Sequence, residues 1–184
     1  MISARQEQII IGTVLGGSSL LKPPKGLNYY LAMRSCNELW LRYKIEELEG
    51  IFTSGLYRSG NTYRCYSLCL PQITAIQGIM FKNKKRVISM KLLDHLRLRD
   101  TSLAIWYLEA GGKTGRGRKN AYLSTTIYGE EGSLAISEYF NAIDCDNTVN
   151  KNKNRRRIVF SVPGTERFFK VVANLFPTFM YCKL

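Results

Sequence analysis

Acidic residues are scarce in this chain. Its 184 residues include 14 Asp and Glu against 27 Lys and Arg, a formal net charge of +13. That imbalance favours a polyanionic partner, with nucleic acid the first candidate. Histidine occurs once, as His95. It sits in the amphipathic run from Lys91 to Arg99 and reads as a surface or helix-packing residue. No serine, cysteine or histidine nucleophile has the partners such catalysis needs. The five cysteines, at 36, 65, 69, 145 and 182, match no disulfide or zinc spacing. Cys65 and Cys69 fall in a strand-like run, where four residues span roughly 13 Å, too far to share one zinc. They read as small apolar residues in a reducing compartment, such as an organelle or a bacterial cytoplasm. No apolar run approaches the roughly 20 residues of a spanning helix. Ile9 to Leu15 is apolar enough for a signal-peptide core, but no small-x-small site follows and only Arg5 precedes it.

Apolar residues are plentiful, at 45% of the chain, so a real core is expected. The length suits one compact domain or two packed halves. Two stretches organise it. One is Ile9-Ile10-Ile11-Gly12-Thr13-Val14-Leu15-Gly16-Gly17. The other, half a chain later, is Leu103-Ala104-Ile105-Trp106-Tyr107-Leu108-Glu109-Ala110-Gly111-Gly112. Each reads as an apolar helix that stops at small residues before a basic, turn-rich stretch. The repetition indicates one unit used twice. Gly12 and Gly16, four apart, share a helical face and would admit a close second helix.

Each half then follows the same order. In the first, a helix over 6–16 leads to a turn at Lys22-Pro23-Pro24-Lys25-Gly26 and a strand over 28–35. A helix over 38–48 follows, with Leu39, Trp40, Tyr43 and Leu48 inward. A hairpin turns at Ser59-Gly60-Asn61 and ends at Pro71. A helix over 73–81 precedes the basic loop Lys82 to Arg86. In the second, a helix over 101–110 is capped by Asp100 and stopped by Gly111 and Gly112. A strand over 121–127 follows, then a helix over 133–143 with Leu134, Ile136, Tyr139, Phe140 and Ile143 inward. A hairpin over 148–162 and a last helix over 167–175 complete it. The class is α+β: two pseudosymmetric αββαββα-like halves, over 1–95 and 96–184, whose sheets each expose a basic, aromatic face.

The basic residues cluster in the hairpins and their loops. Lys22, Lys25 and Arg34 form one group, and Arg58 and Arg64 a second. Lys113, Arg116, Arg118 and Lys119 form a third, and Lys151, Lys153, Arg155, Arg156 and Arg157 a fourth. Two-stranded ribbons fit a DNA major groove, with side chains on base edges and ribbon ends on phosphates. Gly112-Lys113-Thr114 imitates the end of a phosphate-binding P-loop, but the pattern needs glycine where Tyr107 stands and a strand before it.

In order and spelling these features resemble the LAGLIDADG homing-endonuclease family in its compact, single-chain, two-repeat form. Trp106-Tyr107-Leu108-Glu109-Ala110-Gly111-Gly112-Lys113 is similar to that family's W-[FY]-x-D-D-G-G-K. Val14-Leu15-Gly16-Gly17-Ser18-Ser19-Leu20 is similar to L-L-G-D-G-S-L, and Met180-Tyr181-Cys182-Lys183-Leu184 to its M-Y-K-L ending. The resemblance implies a monomer with an internal pseudo-two-fold, motif helices side by side through Gly12 and Gly16, and antiparallel sheets forming a saddle over DNA. It also implies an acid at the end of each motif helix, holding a divalent metal at a scissile phosphate. The matching positions are Gly17 and Ala110, and neither side chain can bind a metal. Glu109 is one residue early, about 100° round the helix. Lys85 and Lys183 match the family's lysines near the site. The sequence therefore reads as a nucleic-acid-binding protein of this family, with double-stranded DNA the favoured partner and cleavage lost or impaired. No cofactor is expected, with Mg2+ required if cleavage survives. Two alternatives stand beside it: an active metal-dependent endonuclease using Glu109, and an RNA-binding group I intron maturase or structural RNA-associated protein.

Overall fold

A computed structural model describes residues 2–52, 55–97 and 99–184, with the side chain of Arg118 outside the described set. The chain divides into two compact units, one ending at Ile79 and the other running from Met80 to Leu184.

The first unit opens with α1 (Ala4–Leu15). Ser3 caps it: its Oγ accepts from Gln6 N at 3.1 Å, and Gln6 Oε1 accepts from Ser3 N at 2.9 Å. This reciprocal pair satisfies donors that the first helical turn leaves open. Every residue from Ile9 to Leu15 is buried. A helix apolar all round is a core helix rather than a surface one. At its end Gly16 N bonds Gly12 O at 3.0 Å, and Gly17 takes φ +122°, which turns the chain into the next strand. The strands are β1 (Ser19–Leu21), β2 (Tyr30–Ser35), β3 (Tyr57–Ser59) and β4 (Thr62–Tyr66), in antiparallel order β1-β2-β4-β3. Helix α2 (Glu38–Glu47), capped by Asn37 on Trp40 N at 3.1 Å, packs on β2 and β4. Strand alternation sends Leu31, Met33 and Cys65 into the core beneath it. Helix α3 (Pro71–Met80) ends the unit, and Pro71 starts it rather than only stopping the hairpin.

The second unit begins with a two-stranded ribbon, β5 (Phe81–Lys82) and β6 (Lys85–Arg86), turning on Asn83 and Lys84 at φ 50° and 62°. The sequence reads this stretch as a plain loop. Helices α4 (Met90–Leu96) and α5 (Asp100–Ala110) follow. Then come β7 (Gly111–Thr114), β8 (Asn120–Ser124), α6 (Gly129–Asn141), β9 (Asn147–Asn152), β10 (Arg155–Phe160) and α7 (Val162–Val172). The sheet order is β7-β8-β10-β9, with α6 and α7 on one side. An aromatic core joins them: Phe160 stacks on Phe168 at 5.0 Å and meets Phe140 edge-on at 5.1 Å. Thr165 Oγ1 accepts from Ala121 N at 2.9 Å and ties α7 to β8. From α1 and from α5 onward, the two units run through the same αββαββα order.

Several local expectations are corrected. Leu39 is 60% exposed while Leu41 is fully buried, because the face of α2 that packs on β2 and β4 carries Trp40, Leu41 and the stem of Lys44. Leu134 likewise points outward, at 50% exposure. Asp100 is the first residue of α5, and the cap position falls to Arg99, whose side chain makes no capping bond. Gly111 does not take the left-handed stop: at φ −97° and ψ 172° it passes straight into β7. Of the cysteines, Cys65 and Cys145 are buried, while Cys36, Cys69 and Cys182 are exposed. Burial lifts the Cys65 thiol to about 11 and the Cys145 thiol to about 11.

Candidate nucleic-acid interface

Strand pleating decides which basic residues share a surface. In the first unit Leu31, Met33 and Cys65 face α2, so Tyr30, Ala32 and Arg34 of β2 face away with Thr62, Arg64 and Tyr66 of β4. Arg34 lies directly opposite Arg64, and Arg64 lies opposite Tyr57 on β3. Like charges directly across a strand pair repel, and no Asp or Glu stands on this face among the strand residues. The Nε of Arg64 is buried without a hydrogen-bond partner among the described residues. Three tyrosines complete the face. Tyr66 meets Tyr30 edge-on at 5.9 Å and Tyr57 at 5.6 Å. The hydrogen bond between the Tyr57 and Tyr66 hydroxyls lifts the Tyr57 phenol to about 12.

The second unit builds an equivalent face on β8, β9 and β10. Ala121, Leu123, Ile158 and Phe160 point inward, so Tyr122, Ser124, Asn150, Asn152, Arg155 and Arg157 point outward. Arg157 lies over the Tyr122 ring, 5.1 Å from its centroid. These side chains, with Thr126, Arg156 and Ala110, line a groove of about 460 Å³. No Asp or Glu lines it.

The other sequence-predicted basic residues fall elsewhere. Lys22 and Lys25 are exposed on the β1–β2 connection, and Lys153 on the β9–β10 turn at φ 52°. Arg116 and Lys119 are exposed on the β7–β8 connection, while the Arg118 side chain lies outside the described residues. Arg58 pairs with Tyr63, so it projects on the α2 side, where Tyr63 bonds Glu38. Lys113 pairs with the buried Ala121 and also lies on the helical side, its Nζ 6.0 Å from the Phe169 ring of α7. Lys151 pairs with Arg156, which bonds Glu130 of α6 at 3.1 Å, again on that side. Sequence reading expected an aromatic face but named none of these tyrosines as binding residues, and it missed the Asn150–Asn152 pair. The period-two alternation that placed Arg34 and Arg157 would have found them.

The motif ends can be compared with the chemistry of metal-assisted cleavage. Magnesium and manganese need hard oxygen ligands, carboxylates above all. Gly17 is exposed on a turn with φ +122°, and Ala110 ends α5 at the edge of the groove. Neither offers a side-chain donor. Among the described residues no three His, Cys, Asp or Glu gather as a metal cluster. The donor set therefore does not fit a metal centre at these two positions. Glu109 is half-buried next to Ala110, and its charge raises the pKa of Lys183, against the larger lowering that burial causes. Lys183 Nζ donates to Gly111 O at 2.7 Å, and Tyr107 Oη donates to Lys183 O at 3.0 Å. The structure thus gathers Glu109 and Lys183 at the end of α5. Lys85 is exposed on β6, beside Lys84, Arg86 and Tyr128 in a separate cavity. Because β7 begins at Gly111 with no intervening loop, α5 has no slack with which to bring Glu109 round to the place of Ala110.

Two αββαββα units, each with one basic sheet face free of Asp and Glu among the described residues, give an α+β protein of the homing-endonuclease fold. The match to the LAGLIDADG DNA endonuclease family spans residues 7–168, and the chain belongs to that family. Its fold is similar to that of the homing endonuclease I-WcaI bound to its DNA recognition sequence: TM-score 0.90, 22% identity, 100% of this chain and 87% of that one. It is also similar to I-DmoI in complex with DNA and Mn, with TM-score 0.60 and 13% identity over 91% of this chain and 96% of that one. Full-length DUF199/WhiA from Thermatoga maritima matches with TM-score 0.61 and 11% identity, over 98% of this chain and 59% of that one. No curated protein matches the sequence.

Proposed function

We propose that the protein binds double-stranded DNA on the acid-free faces of its two sheets and does not cut it. The observation that carries this reading is the pairing of those faces with neutral motif ends. Arg34 and Arg64 in one unit, and Arg155 and Arg157 in the other, stand on surfaces without a carboxylate. Gly17 and Ala110 stand where cleavage chemistry needs acids. The solved relatives bound to DNA support duplex as the partner.

The physical division of labour is plain. Arginines on pleated ribbons hold phosphates and reach base edges. The amides of Asn150 and Asn152 offer paired donor and acceptor groups of the kind that read adenine. Cutting would require a cation to offset the charge that builds on the scissile phosphate. Removing one electrostatic stabiliser costs about 10²–10³ in rate. Here both carboxylate positions are empty of acid, and Lys183 is bonded to Gly111 O.

The test is a selection in which immobilised protein is offered random DNA and RNA pools, followed by a cleavage assay on the winning sequence with magnesium or manganese. Enriched duplex that stays intact supports the reading. Enrichment of RNA alone would move the function to the maturase class. Metal-dependent double-strand cuts that vanish in Glu109→Gln would establish the endonuclease instead.

A further inference from the structure

We propose that the groove beside Ala110 holds a backbone phosphate directly on Arg155 and Arg157, with no divalent cation between. On this view the neutral side chain at 110 is part of an anion site. The inference rests on the nucleic-acid-binding reading above and specifies how one unit carries it out.

Four observations support it. First, the groove of about 460 Å³ is lined by neutral and cationic side chains only, so its field favours an anion over a metal ion. Second, of its three arginines, Arg156 has a carboxylate partner, Glu130 at 3.1 Å, and shares the helical side with it. Arg155 and Arg157 alternate to the open side with Asn152 and Asn150 opposite them. Third, Arg157 lies over Tyr122 at 5.1 Å, which holds the guanidinium beside the groove, and a guanidinium can bind phosphate oxygens in bidentate fashion. Fourth, the carboxyl end of α5 carries partial negative charge that would repel a phosphate. Lys183 offsets it by donating to Gly111 O at 2.7 Å. A carboxylate at 110 would add a full negative charge to this groove and compete with the phosphate for the same guanidinium groups.

The test uses the whole chain and a fluorescent mixed-sequence DNA duplex, titrated in EDTA and in magnesium at equal ionic strength. The unmodified protein should need no magnesium, binding at least as well in EDTA, since magnesium competes for the phosphates. Arg157→Gln should weaken binding and reduce the steepness of its salt dependence by about one phosphate contact. Ala110→Asp should weaken binding in EDTA by about five- to tenfold, as expected for one charge near another at a wet surface, and magnesium should restore it. Ala110→Asn, with the size of aspartate but no charge, should lose less binding in EDTA than Ala110→Asp and gain nothing from magnesium, and equal melting of the two variants controls for folding. Magnesium-dependent binding by the unmodified protein overturns the proposal. So does an Ala110→Asp variant that matches Ala110→Asn in EDTA, or an Arg157→Gln variant that binds normally. If the unmodified protein binds no duplex even at low salt, the broader DNA-binding reading falls with it.

Discussion

Placing aspartate at both motif ends should be far easier in one half than in the other. Gly17 has φ +122°, a conformation that residues with a Cβ rarely adopt. A Cβ built there meets nothing within 4 Å, so crowding adds nothing and the whole cost is backbone strain. Such strain is worth about 1–3 kcal/mol, whatever the side chain beyond Cβ. Gly17→Ala and Gly17→Asp should therefore destabilise equally. In a chain of this size each kcal/mol moves the melting point by about 2–4 °C, so both variants should melt roughly 2–12 °C lower. Ala110→Asp replaces a half-exposed residue at a helix end. Its cost is limited to about 1 kcal/mol, from lower helix propensity and a negative charge at the negative end of α5. The assay is thermal and urea unfolding of the three single variants side by side. A Gly17→Asp protein that melts with the unmodified chain would refute the strain argument. A large gap between Gly17→Ala and Gly17→Asp would show that the side chain, not the backbone, sets the cost.

Other outcomes follow from the same contacts. Phe160→Ala removes a fully buried ring stacked on Phe168 and should cost about 3–5 kcal/mol by urea denaturation; a loss under 1 kcal/mol would mean that this core is not packed. Replacing Arg34, Arg64, Arg155 and Arg157 together with glutamine should flatten the slope of log affinity against log salt by about 4, and an unchanged slope would place the DNA elsewhere. Tyr107→Phe deletes the hydrogen bond to Lys183 O and should cost about 0.5–1.5 kcal/mol, read as a lower urea midpoint. Stability should also fall in alkali. Burial raises the thiols of Cys65 and Cys145 from an ordinary 9.0 to about 11. A raised folded-state pKa gives stability that is complete below the unfolded value and lost as pH rises through the folded one. The loss should run from pH 9.0 to about 11, and the double variant Cys65→Ala with Cys145→Ala should flatten that part of the profile.

Period and punctuation in the sequence are enough to find most elements, because helices and strands here bury whole faces. The alternation Leu31, Met33 and Ile158, Phe160 places two strands correctly, and Ser59-Gly60-Asn61 places a turn. The errors arise where packing between elements sets the phase. Leu39 and Leu41 are equally apolar, and the packing of α2 on β2 and β4 turns Leu41 inward. Gly111 is legible as the end of a helix, but its extended conformation depends on β7 pairing with β8, which lies beyond any local window. The same holds for the surface. Clustering gathers Arg58, Lys113 and Lys151 with their neighbours, while cross-strand register sends them to the helical side. The link of Lys183 to Gly111 joins residues 72 apart in sequence, and only the resemblance of the Met180–Leu184 ending puts that lysine near the motif.

The facing arginines 34 and 64 tie the mechanical state of the first sheet to whatever lies on it. With nothing bound, their repulsion works against the hydrogen bonds that hold β2 to β4. A bound anion changes the sign of that interaction, so occupancy and sheet cohesion rise together. Polyvalent anions of no biological meaning should then slow amide exchange at Met33 and Cys65 more than exchange within α1. Replacing either arginine with glutamine should make the unliganded sheet quieter while making it a poorer receptor. Folding and recognition pull in opposite directions at this one rung of the ladder.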